Sequence, residues 1–337
     1  MVKELIIRKE ECVSPLESIY FGGGTPSILS DAEIALLFET IYKHYSIENL
    51  AEASFEANPD DLTLEKIQFL KTTPINRFSI GIQSFFEDDL RFMNRAHSAK
   101  EAISSIENVK NQGFENLTID LIYGVPESKN WEKNLEIFYQ LAIPHLSSYA
   151  LTVEPKTILH HQIQTHKVQN VNEEQQEREY KILIDSLASH QFEQYEISNF
   201  ARNKQYSLHN TNYWKSKPYI GIGPSAHSYD GTTRSWNIAN NAQYCKQLND
   251  NMLPSETEVL SENEQYNELV MLGLRTQWGI DLEKVKQISP KGLRYLQQKI
   301  PSSIEKGILK IEDNHLIICS EYRFLADGIA ADLFYID

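Results

Sequence analysis

Three consecutive glycines, Gly22-Gly23-Gly24, end the β-prone run Ile19-Tyr20-Phe21 and stand just ahead of Pro26. Glycine forfeits conformational entropy on folding, so three in a row require a return: a backbone turn through positive φ, or a partner packed directly on bare main chain. Ser30 and Asp31 then open a helical pattern. Strand, bare backbone, helix is therefore the local order. In α/β proteins a ligand with a polar head group commonly occupies such a place. A tight strand-to-helix turn is the alternative. A Walker loop is excluded because no Lys-Ser/Thr pair follows, and a dinucleotide fingerprint fits poorly because Ser27 stands where its third glycine belongs.

The pattern around this loop repeats. Apolar runs at 18–22, 53–59, 76–82, 117–123 and 145–151 alternate with helical periodicity at 31–45, from Thr63, at 87–93, 99–112 and 131–141. Such alternation predicts right-handed crossovers and a parallel sheet, as an open or closed barrel. Residues 1–11 read as a helix, so a strand expected ahead of the glycine site is missing. The edge thus uncovered predicts association, as a dimer or an aggregate. After Thr152 the rhythm changes: a polar stretch at 160–176, a long helix at 173–190, short segments at 195–200 and 219–223, and a helical region from about 255. Residues 308–318 read as a hairpin around Asp313-Asn314. Helices followed by a hairpin suggest a winged-helix-like appendage.

Composition decides the partner class. The net charge of −15 opposes a nucleic-acid partner, since counterion release rewards basic surfaces. No apolar run reaches the roughly 20 residues a bilayer span needs, so a soluble cytoplasmic protein is the expectation. Cys12, Cys245 and Cys319 form no Cys-x-x-Cys pair and are read as free thiols.

A parallel barrel presents its chemistry at the carboxyl ends of its strands. There the sequence offers Glu56, Gln83 with Ser84, Asp120, and Tyr149 with Ala150, with Arg95 and His97 in a loop. A carboxylate, an amide and a guanidinium over a glycine floor suit a zwitterionic, hydroxyl-bearing ligand such as an amino-acid nucleoside. Each also has a plainer role: Glu56 as a helix-cap partner, Asp120 as a buried partner of Arg95, Gln83 as a loop hydrogen-bonder. A second cluster, from Ser207 to Trp214 and from Tyr219 to Tyr229, is dense in imidazole, aromatics and glycine. His209 or His227 could ligate iron while Tyr213 or Trp214 stacks on a flat ligand. The same residues could instead form a corner that seals the barrel or a domain junction. His160, His161 and His166 are read as solvated surface.

Taken together, Gly22-Gly23-Gly24-Thr25-Pro26-Ser27, Glu56-Ala57-Asn58-Pro59, Ser79 to Phe85, Arg95-Ala96-His97, Asp120 to Pro126, Tyr149 to Glu154, the His209 to Tyr229 stretch and Arg323 to Gly328 resemble the radical-SAM subfamily. That subfamily contains oxygen-independent coproporphyrinogen III oxidase and the HemW-type haem chaperone. The fold implied is an incomplete (β/α)6-type radical-SAM partial barrel lacking its first strand, over residues 1–235. A small helical, winged-helix-like C-terminal domain over 236–337 completes it. His209-Asn210-Thr211-Asn212-Tyr213-Trp214 looks like the chaperone branch. The resemblance then implies haem or porphyrin as ligand, a haem-requiring acceptor protein and contact with a peripheral membrane protein. It makes His209 the first candidate for a haem contact, with Tyr213 beside it.

By the same resemblance, Gly23, Gly24 and Thr25 would meet the methionine end of S-adenosylmethionine and Glu56 its polar atoms. Gln83, Arg95, Asp120 and Ala150 would line the nucleoside pocket. The family holds a [4Fe–4S] cluster on a Cys-x-x-x-Cys-x-x-Cys loop that this sequence lacks, so no cluster-binding cysteine and no catalytic residue is expected in this chain. It is read as a binding chaperone whose cluster segment is missing. The alternatives are a fragment of the oxidase of tetrapyrrole biosynthesis and a non-catalytic binding protein on the barrel scaffold.

Overall fold

The computed structural model describes residues 1–336. A seven-stranded sheet forms its main body, in the order β1-β2-β3-β4-β5-β7-β6. Strands β1 (Ser18–Phe21), β2 (Glu52–Ala57), β3 (Arg77–Gln83), β4 (Asn116–Tyr123) and β5 (His145–Ala150) are parallel. The chain then reverses, so that β6 (Phe192–Gln194) and β7 (Asn199–Arg202) pair antiparallel, with β7 against β5. The sheet stays open, since β1 and β6 stand at opposite ends.

Helices α1 (Val2–Ile7), α2 (Asp31–His44), α3 (Leu64–Lys71), α4 (Glu87–Phe92), α5 (Ala99–Asn111), α6 (Trp131–Gln140), α7 (Ile158–Gln164) and α8 (Glu173–Ser189) precede β6. Two crossover helices begin with reciprocal capping boxes, Ser30 with Glu33 and Ser98 with Glu101. Each satisfies otherwise orphaned amides at the helix start, and loss of such a cap costs about 1 kcal/mol. The helical reading of residues 1–11 is shorter in the structure, where α1 ends at Ile7 and a 3-10 turn spans Lys9–Glu11.

Successive strand side chains face opposite ways, and here the two faces differ chemically. Ile19, Phe21, Phe55, Phe78, Ile80, Leu117, Ile119, Leu121 and Leu146 form one continuous core with the helices. The interleaved positions are Ser18, Tyr20, Glu52, Ser54, Glu56, Arg77, Ser79, Thr118, Asp120, His145, Ser147 and Tyr149. A parallel sheet buried against helices on both faces reads apolar throughout. This one carries polar groups on its second face.

Three features depart from the sequence expectation. The polar run after residue 157 contains α7, started by the Thr157 side chain. Residues 208–214 form a further helix, α9 (Leu208–Trp214), where no element was expected. The short segment read at 219–223 is reduced to a single bridge, Tyr219 to Tyr229. Beyond α9, strands β8 (His227–Tyr229), β9 (Thr233–Asn237) and β10 (Ser255–Val259) form a small antiparallel sheet, with α10 (Asn241–Asn249) inserted. That sheet crosses residue 236, where the sequence places the second domain's start.

A second core draws on Tyr266, Val270 and Leu274 of α11 (Glu262–Leu274), with Leu296, Leu309, Leu316 and Ala330. The hairpin expected at 308–318 pairs Leu309–Glu312 with His315–Ile318. No helix among the described residues is long and apolar enough to cross a membrane.

Candidate functional site

The triple glycine leaves β1 at the same rim as the ends of β2, β3, β4 and β5, because parallel strands present all their carboxyl ends on one side. Each glycine has its own geometry. A Cβ on Gly22 would lie 2.2 Å from Tyr20 Cε1 and 3.1 Å from the Glu56 carboxyl carbon, so close approach demands glycine there. Gly23 and Gly24 have φ of +70° and +61°, and a Cβ on either would meet nothing within 4 Å. Their backbone is thus a bare, left-handed floor open to a ligand. Thr25 opens the 3-10 turn Pro26–Ile28, and Ser27 Oγ, donating to Asp61 at 2.6 Å, ties that turn to the loop after β2.

Glu56 anchors the arrangement. One carboxylate oxygen accepts from the Tyr20 hydroxyl and the other from the Gly23 amide at 3.1 Å. Burial and the neighbouring Glu56 charge raise the Tyr20 phenol far above its ordinary range, which keeps it a protonated donor. At the end of β3, Gln83 is buried at φ +69°, and Gly81 leaves room for its amide, since a Cβ there would lie 3.0 Å from Nε2. His97 Nε2 meets the Ile82 carbonyl oxygen at 3.0 Å and holds this strand end in place.

Asp120 lies two strands from Glu56 on the same face. Burial pushes its carboxyl up to about 7, with Ser147 pulling down, Glu56 pushing up, and Arg95 and Arg77 pulling down. Burial also lowers the Arg95 guanidinium, against the attraction of Asp120 and Asp60. Ala150 pairs with Tyr123 in the register of β5 on β4. Strand alternation makes Tyr149 the side chain that faces Asp120, and burial, then Asp120, raises its phenol.

His209 and Tyr213 sit on α9, and the fold carries them to β1. The His209 ring stacks on Tyr20 with centroids 4.5 Å apart and planes 15° from parallel, while Tyr213 meets it edge-on at 4.8 Å. His209 Nδ1 pairs with Ser18 Oγ at 3.1 Å, and in the tautomer that donates there Nε2 carries the lone pair. Burial lowers the imidazole to about 4, partly opposed by Glu52, and the ring is neutral at physiological pH. Neutral imidazole is the form that ligates iron.

Glu52 fixes this helix. It accepts from the Leu208 and His209 amides at 2.8 and 3.0 Å, at the positive end of α9. The two clusters separated in sequence are therefore joined through Tyr20. Sequence reasoning missed Tyr20, Glu52 and Ser147, although the polar parity of Ser18-Tyr20 and Glu52-Ser54-Glu56 within apolar strands carried the signal. Gly22→Ala is expected to displace the Tyr20 ring and lower stability by about 1–3 kcal/mol, the usual cost of overpacking. Urea unfolding checks this, and an unchanged midpoint would mean that the ring yields freely.

The donors for an iron–sulfur cluster do not come together. Among the described residues no group of three His, Cys, Asp or Glu side chains is placed to hold a metal ion. Cys12 and Cys319 are half-buried and Cys245 is exposed, all as free thiols. These residues do not fit the cluster, whereas the glycine floor and Glu56 fit a polar ligand head group.

The chain matches the radical SAM superfamily profile over residues 2–136 and the HemN C-terminal domain over residues 260–318. It is 33% identical over 322 residues to heme chaperone HemW of Bacillus subtilis (strain 168), covering 93% of this chain and 84% of that one. With heme chaperone HemW of Lactococcus lactis it shares 35% identity over 274 residues, 81% of this chain and 72% of the relative. The structure matches coproporphyrinogen III oxidase (HemN) of Escherichia coli with a TM-score of 0.83 at 20% identity, covering 99% of this chain and 81% of that one, a likeness of fold. With one residue in three shared across most of both sequences, and the radical-SAM partial barrel and its C-terminal domain in place, the chain belongs to the HemW family of the radical SAM superfamily.

Proposed function

We propose that this chain is a haem-binding chaperone, taking up haem beside α9 and passing it to a haem-requiring acceptor protein. The observation that carries the reading is the neutral His209 imidazole, half-buried between Tyr20 and Tyr213. Relatives named heme chaperone along most of the chain support it. His209 would contact the iron through Nε2, and Tyr213, a residue 39% exposed, would cover one face of the macrocycle. Titration with haemin tests the reading. Wild-type protein is expected to take up one equivalent with a distinct Soret band. His209→Ala is expected to shift that band and weaken uptake at least tenfold; equal affinity and an unchanged band would overturn His209 as the contact.

In the same reading Gly23, Gly24 and Thr25 would receive the amino-acid end of S-adenosylmethionine, and Glu56 its ammonium. Gln83, Arg95, Asp120 and Ala150 would border the nucleoside. Bound there, the ligand supplies an activated sulfonium. No radical step enters this reading, because the described donors do not fit a cluster. The acceptor surface would include a peripheral membrane protein among its partners. A dimer would use the edge of β1, which pairs with β2 alone in the sheet. The reading places the protein in the cytoplasm.

A further inference from the structure

We propose that Tyr20 couples the two halves of the site, so that an amino-acid ammonium held at Glu56 and a planar iron ligand held at His209 bind with mutual dependence. The inference deepens the functional reading above and rests on it. It starts from one side chain that serves two clusters. The hydroxyl of Tyr20 donates to Glu56, whose other oxygen takes the Gly23 amide. The ring of the same residue carries the stacked His209 imidazole. Gly22 leaves room for that ring, since any Cβ there would collide with it at 2.2 Å. The chain has therefore given up a side chain at 22 to keep Tyr20 in this pose.

The pose fixes the imidazole from several sides. Ser18 engages Nδ1, Glu52 holds the backbone of α9, and Tyr213 closes the edge. None of these three touches Glu56. Tyr20 alone among the described contacts reaches both the carboxylate and the imidazole. An ammonium arriving at Glu56 competes with the phenol for the same acceptor, and an ammonium makes the stronger, charge-assisted bond. The phenol then loses the bond that pins its ring, and the stack that holds His209 flat against β1 loosens. An imidazole released from a stack can turn its Nε2 lone pair toward a metal, and the stack it leaves is a modest barrier. Occupation of the glycine floor thus favours iron ligation at His209. By linkage, haem raises affinity for the amino-acid ligand by the same factor.

Two measurements test this. Haemin affinity is read by Soret titration with and without saturating S-adenosylmethionine, in wild type, Tyr20→Phe and Tyr20→Leu. The wild type is expected to bind haemin at least fivefold tighter with S-adenosylmethionine present. Tyr20→Phe keeps the ring but not the bond to Glu56, and its factor is expected to fall below twofold. Tyr20→Leu is expected to bind haemin tighter than wild type with no second ligand. A coupling factor retained in Tyr20→Phe overturns the proposal. The second measurement needs no ligand: the His209 ring signal in NMR, assigned by its loss in His209→Ala, is titrated in wild type and Tyr20→Phe. Its midpoint is expected to rise by at least half a unit in the variant, and an unchanged midpoint overturns the link. If haemin fails to bind wild type, the chaperone reading falls, while the NMR titration still decides the role of Tyr20.

Discussion

Glu52→Ala is expected to lower the stability of the fold by about 3–5 kcal/mol, the cost of removing one partner from a buried ionic group. The side chain is almost fully buried on the polar face of the sheet, 4.0 Å from Arg77 Nε. Arg77 is itself buried and donates to Asn116 and Thr118. Alanine at 52 leaves this guanidinium without its carboxylate and leaves the Leu208 and His209 amides without an acceptor. Ser54 and Ser207, whose hydroxyls also point at Glu52, lose a partner too. Glu52→Gln keeps the shape and part of the accepting capacity, so its cost should be clearly smaller. Chemical unfolding of both variants measures the difference. Equal, small losses would show that the charge itself contributes nothing. Because Glu52 also seats α9 through the Leu208 and His209 amides, the alanine variant should displace the backbone that carries His209, so its stability defect reaches the imidazole site as well.

The second large effect is a pH dependence. Asp120 titrates at about 7 in the folded chain, against an ordinary value of 3.8. Between those limits the folded state holds a proton that the unfolded state has released, so stability falls as pH rises from about 4 to about 7. The contribution is at most about 4 kcal/mol across that window. His209 has the opposite sign. Its folded value of about 4 lies below the ordinary 6.5, so the unfolded state binds the extra proton and stability rises with pH over the same range, by at most about 3 kcal/mol. In wild type the two contributions largely offset. Asp120→Asn removes the falling one, so its stability relative to wild type is expected to increase steadily between pH 4 and 7. Urea unfolding across that range reads the difference directly, and a constant difference between the two proteins would show that Asp120 ionises normally in the fold.

These two residues also show what a linear reading can reach. Asp120 was legible, because it sits late in an apolar run, 117–123, that the alternation marks as a strand of a parallel sheet. Glu52 was not, because it begins its strand, at the end where such folds keep structure and not chemistry. Its importance comes from the helix at 208–214, more than 150 residues later in the chain. That helix is seven residues long and mostly polar, too short for helical periodicity to announce it. The small sheet of β8, β9 and β10 escaped notice for the same reason, since its strands hold three to five residues each.

Much was settled by local order alone. Period-two runs alternating with capped helices specify parallel strands, and parallel strands oblige every carboxyl end to share one rim. The glycine turn, Glu56, Gln83 and Asp120 are therefore neighbours by topology, whatever the details of packing. Only the tertiary structure decided that His209 lies on Tyr20 and that Tyr20 reaches Glu56. Those contacts depend on where a reversed hairpin returns the chain and on which edge of the sheet a seven-residue helix can cover. Such long-range closure is paid for by burial and buried hydrogen bonds across the whole domain, and no local pattern of residues encodes it.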